Sequence, residues 1–467
     1  MQLTSGTRPV LRHGIGTGRA GGPANPSGLR RKVLAFFWLR VGPDLWAFSP
    51  PAHLQLMPTV GQTEYICIPF HHNPERKMTI TDKSKKKDQN INIGKKYSMH
   101  SRILKEERPY WVYLPNSYDE GNKKQCYPVL YLLDGDAYFQ STSGVVQFMS
   151  SGINGNCQIP EMIVVAIPNT DRGRDLTPTH STIGYDGKED AFLESTGGGD
   201  AFLQFMRDEL FPQIDSRFPT LPVRILVGHS LGGLLAIHAL LNEPEMFRAY
   251  VAIDPSLWWD NQLLIHTAEN EIRTIRKLRK TLYISSANTP KIPNFNPLKA
   301  QKAIRKLVKA LNPARSVNFQ LSFQFFNAED HVSVPLLSLY HGLLYIFDGF
   351  KHTGLESLPA MKTRFQRLAK HLGGNILPPE GYVMGMGYIM LYVMKDVKKA
   401  IAFFEYNLSN FPTSATAYDS LGEAYMINGD KAQAIMNYKK SLKLDLNNQN
   451  AIKMIRELKK KKEIPDA

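Results

Sequence analysis

The sequence predicts an α/β protein: a mostly parallel β-sheet covered by helices on both faces, followed by a small all-α domain. Three observations predict it. Between about residues 100 and 350, short apolar, β-branched runs alternate with amphipathic helical stretches, as when parallel strands are joined by helical crossovers. One of those strands ends in a Gly-rich turn that opens directly into a helix. Past residue 380, aromatic and small residues fall at the spacing of a helical repeat.

Residues 1–92 stand apart. The first sixty hold seven Arg or Lys and one acid, Asp44, with no helix or strand periodicity. Val33–Leu39 follows Arg30, Arg31 and Lys32 in the order of a signal peptide, but it is short, begins thirty residues in and is broken by Arg40. An Arg-rich, acid-poor transit peptide and a start at Met57 or Met78 are the other readings. The expectation is a disordered or non-native segment.

Strands are expected at Tyr110–Leu114, Pro128–Leu133, Met162–Ile167, Val223–Val227, Tyr250–Ile253, Thr281–Ser285 and Val317–Phe326, and helices at Ala201–Ile214, Leu231–Leu241, Pro297–Leu311 and Val334–Phe350. Together they make a domain over 93–352. A linker, 353–380, carries a helix near Met361–Leu372 that stops before Gly373, Gly374 and Pro378. In 381–462, Tyr418, Leu421, Gly422, Tyr425, Ala434 and Tyr438 follow the 34-residue tetratricopeptide pattern. Ala400, Phe404 and Pro412 match one period earlier. Two repeats and a capping helix near Ala451–Lys461 are expected.

Functional residues of a parallel sheet gather at the C-terminal strand ends. There lies Gly228-His229-Ser230-Leu231-Gly232-Gly233, after the strand Arg224–Val227 and before a helix. In that context G-x-S-x-G is a nucleophile elbow: a strained turn lifts the Ser230 hydroxyl to a helix N-terminus, where the dipole favours negative charge. A serine needs a base within reach. His331, after the last strand, fits the chain order; His238 and His341 lie inside helix patterns, and His266 and His352 lack a matching context. The usual place for an acid, Ser286–Pro290, has no carboxylate. Asp254, Glu329 and Asp330 are alternatives, as is an orienting carbonyl in place of an acid, and the expectation is a Ser230–His331 dyad with at most auxiliary help from Glu329. The oxyanion hole is expected from the N–H of Leu231 with that of Gly135 or Asp136.

With these residues in place, Ser101–Pro115, Tyr131–Phe139, Ile167–Pro178, Gly198–Phe218, Gly228–Gly233, Pro255–Asp260 and Glu329–Pro335 resemble the putative-esterase group of α/β-hydrolases. That group holds esterase D, enterochelin esterases and carbohydrate feruloyl or acetyl esterases. The resemblance spans about 93–350 and implies an α/β-hydrolase fold and a carboxylic-ester hydrolase working through an acyl-serine. It carries Ser230 and His331 over to the catalytic positions, Asp136 to the oxyanion loop and Arg172 to a substrate contact; a salt-bridged surface turn is the alternative for Arg172.

No metal-ligand spacing, Walker A loop or dinucleotide fingerprint appears, so no metal or cofactor is expected. The net charge of +15 reads as solvated tails and faces, with runs at Lys83–Lys87 and Lys459–Lys462, rather than as a nucleic-acid site. No apolar run reaches the length of a membrane span. The partner expected is a small-molecule ester, with a protein partner open to the repeats; a non-catalytic docking protein and a dedicated siderophore or carbohydrate esterase are the competing readings. A cytoplasmic location is expected, with periplasm and organelle left open; the three cysteines permit a reducing compartment. The apolar stretch Tyr382–Met394 is expected to pack on the hydrolase domain or a second subunit, walling the substrate entrance near Trp258 and Trp259.

Overall fold

The computed structural model describes residues 91–118, 125–150, 157–290, 297–352 and 354–460. All but the last two residues of the expected N-terminal segment lie outside these, as do Cys67, Lys83–Lys87, Lys461 and Lys462.

Eight strands, β1 (Lys95–Ser101), β2 (Glu106–Tyr113), β3 (Tyr127–Leu132), β4 (Ile163–Ala166), β5 (Thr220–His229), β6 (Ala249–Ile253), β7 (Lys280–Ala287) and β8 (Phe319–Phe326), form one sheet. Their order is β1-β2-β4-β3-β5-β6-β7-β8. β2 runs antiparallel to both β1 and β4, and every other pairing is parallel. The seven expected strands are all present. β1 was not expected: it is an edge strand whose residues are mostly exposed, so it lacks the apolar run that marks the others.

The crossovers are helical. They are α1 (Gly135–Ser150) after β3, α2 (Arg172–Leu176) after β4, and α3 (Gly199–Phe205) running through a π-turn at Met206–Leu210 into α4 (Phe211–Arg217) before β5. Then come α5 (Leu231–Asn242), α6 (Trp259–Asn270), α7 (Pro297–Leu311) and α8 (Val334–Ile346), which follow β5, β6, β7 and β8. This is the α/β-hydrolase fold. Strand side chains alternate between two apolar clusters: Val129, Tyr131 and Leu133 face one, Leu130 and Leu132 the other.

After α8, Ser357 caps α9 (Leu358–Leu372) by accepting the Ala360 N–H at 3.3 Å, and Gly373, at φ 75°, ends it. Five more segments follow: α10 (Glu380–Tyr388) with a π-turn at Ile389–Val393, α11 (Val397–Asn410), α12 (Ala415–Ile427), α13 (Lys431–Leu444) and α14 (Gln449–Lys460). Asp396, Ser414 and Asp430 each cap the helix that follows. Gly387 lets Phe404 approach; a Cβ there would sit 2.4 Å from the ring.

This tail is not a separate body. Val383, Met386, Met390, Phe403 and Phe404 share one apolar cluster with α8, α9 and the strand residues Val223, Ile225 and Val251. Arg364 of α9 makes two hydrogen bonds with Glu356, at 2.9 and 2.7 Å, and the Tyr382 hydroxyl donates to the same carboxylate at 3.1 Å. Packing of Tyr382–Met394 on the hydrolase domain is therefore observed. The wall near the tryptophans is not: Trp258 and Trp259 belong to the cluster on the other face of the sheet.

Candidate active site

β5 delivers Gly228, His229 and Ser230 to a turn that opens at once into α5. Ser230 takes φ 58°, ψ −113°, a conformation costly for a residue with a Cβ. Its neighbours hold it there. The Ser230 N–H donates to the Ile253 carbonyl at 3.0 Å, and the Ser230 carbonyl accepts N–H groups from Leu234 and Ser256 at 3.0 Å each. Gly228 is required because a Cβ would lie 2.2 Å from the Gly232 carbonyl oxygen. The Ser230 hydroxyl lies 3.1 Å from that of Ser256.

His331 sits in the loop after β8. Its main-chain N–H donates to the Thr289 hydroxyl at 3.0 Å, and its Nδ1–H donates to Asp254 Oδ2 at 2.7 Å. Asp254, 7% exposed and at φ 38°, follows β6, and its Oδ1 accepts the Ala287 N–H at 3.2 Å. A carboxylate only accepts, so the bond puts the imidazole proton on Nδ1 and leaves Nε2 a lone pair. This corrects the expected dyad aided by Glu329. The carboxylate on His331 is that of Asp254, while Glu329 offers its main-chain carbonyl to the Asn288 N–H at 2.8 Å. Sheet order is the reason: β6 pairs directly with β5, so its end lies beside the Ser230 turn.

The loop after β3 carries the other half of the site. The Gly135 N–H donates to the Ile167 carbonyl at 2.9 Å, which corrects Gly135 as an oxyanion donor. Ala137 and Tyr138 donate to the Asp134 carbonyl at 3.0 and 3.2 Å. The Asp136 N–H remains in the first turn of α1, where no helical partner exists, and the Leu231 N–H likewise lies in the first turn of α5. Arg172 grips the buried Asp134 through two bonds, 2.7 and 3.1 Å, and reaches the His229 carbonyl at 3.4 Å. Asn169 adds 2.8 Å to Asp134 and 3.3 Å to Asp136. Arg172 thus braces two loops while 38% of its side chain stays exposed. Trp258 is half-buried, edge-on to Tyr185 at 5.2 Å. Trp259 is 1% exposed and donates to the Thr179 hydroxyl at 3.2 Å, which places it in the core and corrects it as a substrate contact.

Three residues here had no expected role: Ser256, His229 and Tyr138. The Tyr138 hydroxyl lies 3.1 Å from His229 Nδ1, and the His229 ring stands 4.4 Å from that of His331. Burial, then the neighbouring His331 charge, lowers the His229 pKa to about 4, so this ring is neutral near pH 7. Only the x in G-x-S-x-G pointed to His229. Among the described residues no group of three or more His, Cys, Asp or Glu is placed to hold a metal, and no helix is long and apolar enough to cross a membrane.

Residues 101–333 match the family described as "Putative esterase". The chain is similar to a siderophore triacetylfusarinine C esterase of Aspergillus fumigatus, 33% identical over 162 residues, 32% of this chain and 50% of that enzyme. It is also similar to the ferri-bacillibactin esterase BesA of Bacillus subtilis, 27% identical over 220 residues, 45% of this chain and 76% of that one. The chain thus spans half the length of the first relative and about three quarters of the second. An IroE-like serine hydrolase from Shewanella oneidensis superposes with a TM-score of 0.61 at 30% identity, covering 68% of this chain and 99% of that chain.

Proposed function

This chain belongs to that esterase family, whose chemistry is the hydrolysis of carboxylic esters by a serine, and we propose that Ser230, His331 and Asp254 carry it out on an ester of siderophore type. The observation that carries the residue assignment is the His331–Asp254 bond of 2.7 Å beside a strained serine at a helix N-terminus.

Ser230 Oγ attacks the ester carbonyl carbon as its proton passes to His331 Nε2, and the Asp254 carboxylate stabilises the resulting imidazolium. The carbonyl oxygen, now an anion, sits against the N–H groups of Leu231 and Asp136. Collapse breaks the bond to the alcohol, whose oxygen takes the proton from His331 and leaves an acyl-serine. Water then attacks that acyl carbon, giving a proton to His331. The acid departs as Ser230 Oγ recovers that proton.

The siderophore assignment rests on the named activities of the relatives. It is tested by incubating the wild type and Ser230→Ala with triacetylfusarinine C and with ferri-bacillibactin and following products by mass spectrometry. The expected result is a gain of one water per ester cut, in the wild type alone. A protein that hydrolyses p-nitrophenyl acetate yet leaves both siderophores intact contradicts this substrate class.

A second reading concerns the tail. α11 and α13 begin 34 residues apart, at Val397 and Lys431, as do α12 and α14, at Ala415 and Gln449. That period supports tetratricopeptide repeats in residues 381–462, with α14 as the cap, and a protein-docking role beside the esterase rather than instead of it.

A further inference from the structure

The turn after β6 contributes Asp254 to His331, but Asp254 is not its only contact with the candidate site. Two residues on, Ser256 is 6% exposed, and its hydroxyl lies 3.1 Å from that of Ser230. Backbone bonds fix this approach from both sides. The Ser256 N–H donates to the Ser230 carbonyl at 3.0 Å, and the Ser256 carbonyl accepts the Trp259 N–H at 3.1 Å. Between the two, Pro255 presses on α5, where a Cβ on Gly233 would come within 3.0 Å of it. One short turn therefore addresses both members of the Ser230–His331 pair.

We propose that Ser256 is a further catalytic residue, whose hydroxyl donates a hydrogen bond to Ser230 Oγ throughout the reaction. The inference rests on Ser230 being the nucleophile. Each hydroxyl has one proton to give and two lone pairs to receive. For His331 to act as base, Ser230 must give its proton to the imidazole, so of the two hydroxyls Ser256 is the donor. Ser230 Oγ is the attacking atom in acylation and the leaving atom in deacylation. A donor aimed at it stabilises partial negative charge in both transition states and holds the oxygen toward the carbonyl. Ser256 takes no proton, so the balance of the steps above is unchanged.

A contact to the reacting oxygen acts on turnover, whereas a purely structural serine acts on the yield of folded enzyme. Ser256→Ala is therefore compared with wild type on p-nitrophenyl acetate, with active sites counted by fluorophosphonate titration carried to completion. One neutral hydrogen bond corresponds to about a tenfold change in rate. The expected result is a kcat per titrated site about tenfold lower, KM within twofold, and fluorophosphonate labelling slowed by a similar factor. A kcat per titrated site within twofold of wild type, whatever the yield, overturns the proposal, as does a loss confined to KM. Wild-type enzyme that does not react with fluorophosphonate at all sinks the esterase assignment itself, a separate outcome.

Discussion

Asp254 occupies a backbone position that an L-residue adopts only under constraint, and what it gains there is the His331 Nδ1–H. In the proposed mechanism its task is to hold one imidazole tautomer and to stabilise the imidazolium. Asp254→Asn should therefore lower kcat on p-nitrophenyl acetate by about 10³ to 10⁴, the scale at which such a change leaves the wrong tautomer. Glu329→Gln should stay within threefold; the reverse ranking would restore Glu329 as the auxiliary acid. His229 makes a different prediction. Its ring is buried among His331, Asp254, Asp134, Tyr138 and the main chain of the His331 loop, and stays neutral down to about pH 4. The unfolded chain takes up that proton near pH 6.5, so the unfolded state binds more protons between the two values. His229 thus makes stability fall as pH drops from about 6.5 to about 4, by on the order of 3 kcal/mol, with no further change below. Urea unfolding at pH 7 and pH 4.5 should show a smaller difference for His229→Gln than for wild type. Equal differences would mean that His229 is not the group responsible.

At the scale of elements, the tail and the sheet are joined by a shared apolar cluster and by the Glu356–Arg364–Tyr382 contacts. A chain ending at Pro378 strips Val383, Met386, Phe403 and Phe404 from that cluster. It should aggregate or melt several degrees lower than the full chain. A soluble protein with unchanged melting and activity would show the tail to be an independent docking module. A finer probe is Gly387→Ala, which drives a methyl group into the Phe404 ring. It should cost about 1–3 kcal/mol in urea unfolding, the usual penalty of overpacking, with kcat per titrated site unchanged. Element types were legible where periodicity was strong. β1 was not, because KKYSMHS is a polar, mostly exposed edge strand. α1 was not, because its middle, QSTSG, carries poor helix formers.

Across the whole molecule, the C-terminal ends of β3, β5, β6 and β8 converge on one place, and the sheet order decides who meets whom. The places of Ser230 and His331 were legible because each is defined by local context: a strand–turn–helix for one and the loop after the last strand for the other. Asp254 was legible only as one of several carboxylates, because its role depends on β6 lying beside β5, and strand neighbours are not written in any local pattern. Ser256 was hidden for the same reason, since its partner lies 26 residues away in sequence; Arg172 was legible as an ion-paired turn, but not its partner Asp134, 38 residues away. The central claim is that Ser230 is a nucleophile driven by His331 and Asp254. It is tested most directly by treating the full chain with a fluorophosphonate and mapping the adduct by peptide mass spectrometry. The account predicts one adduct, on the peptide bearing Ser230, absent from Ser230→Ala and formed far more slowly in Asp254→Asn; no adduct in wild type, or one on a different serine, would contradict it.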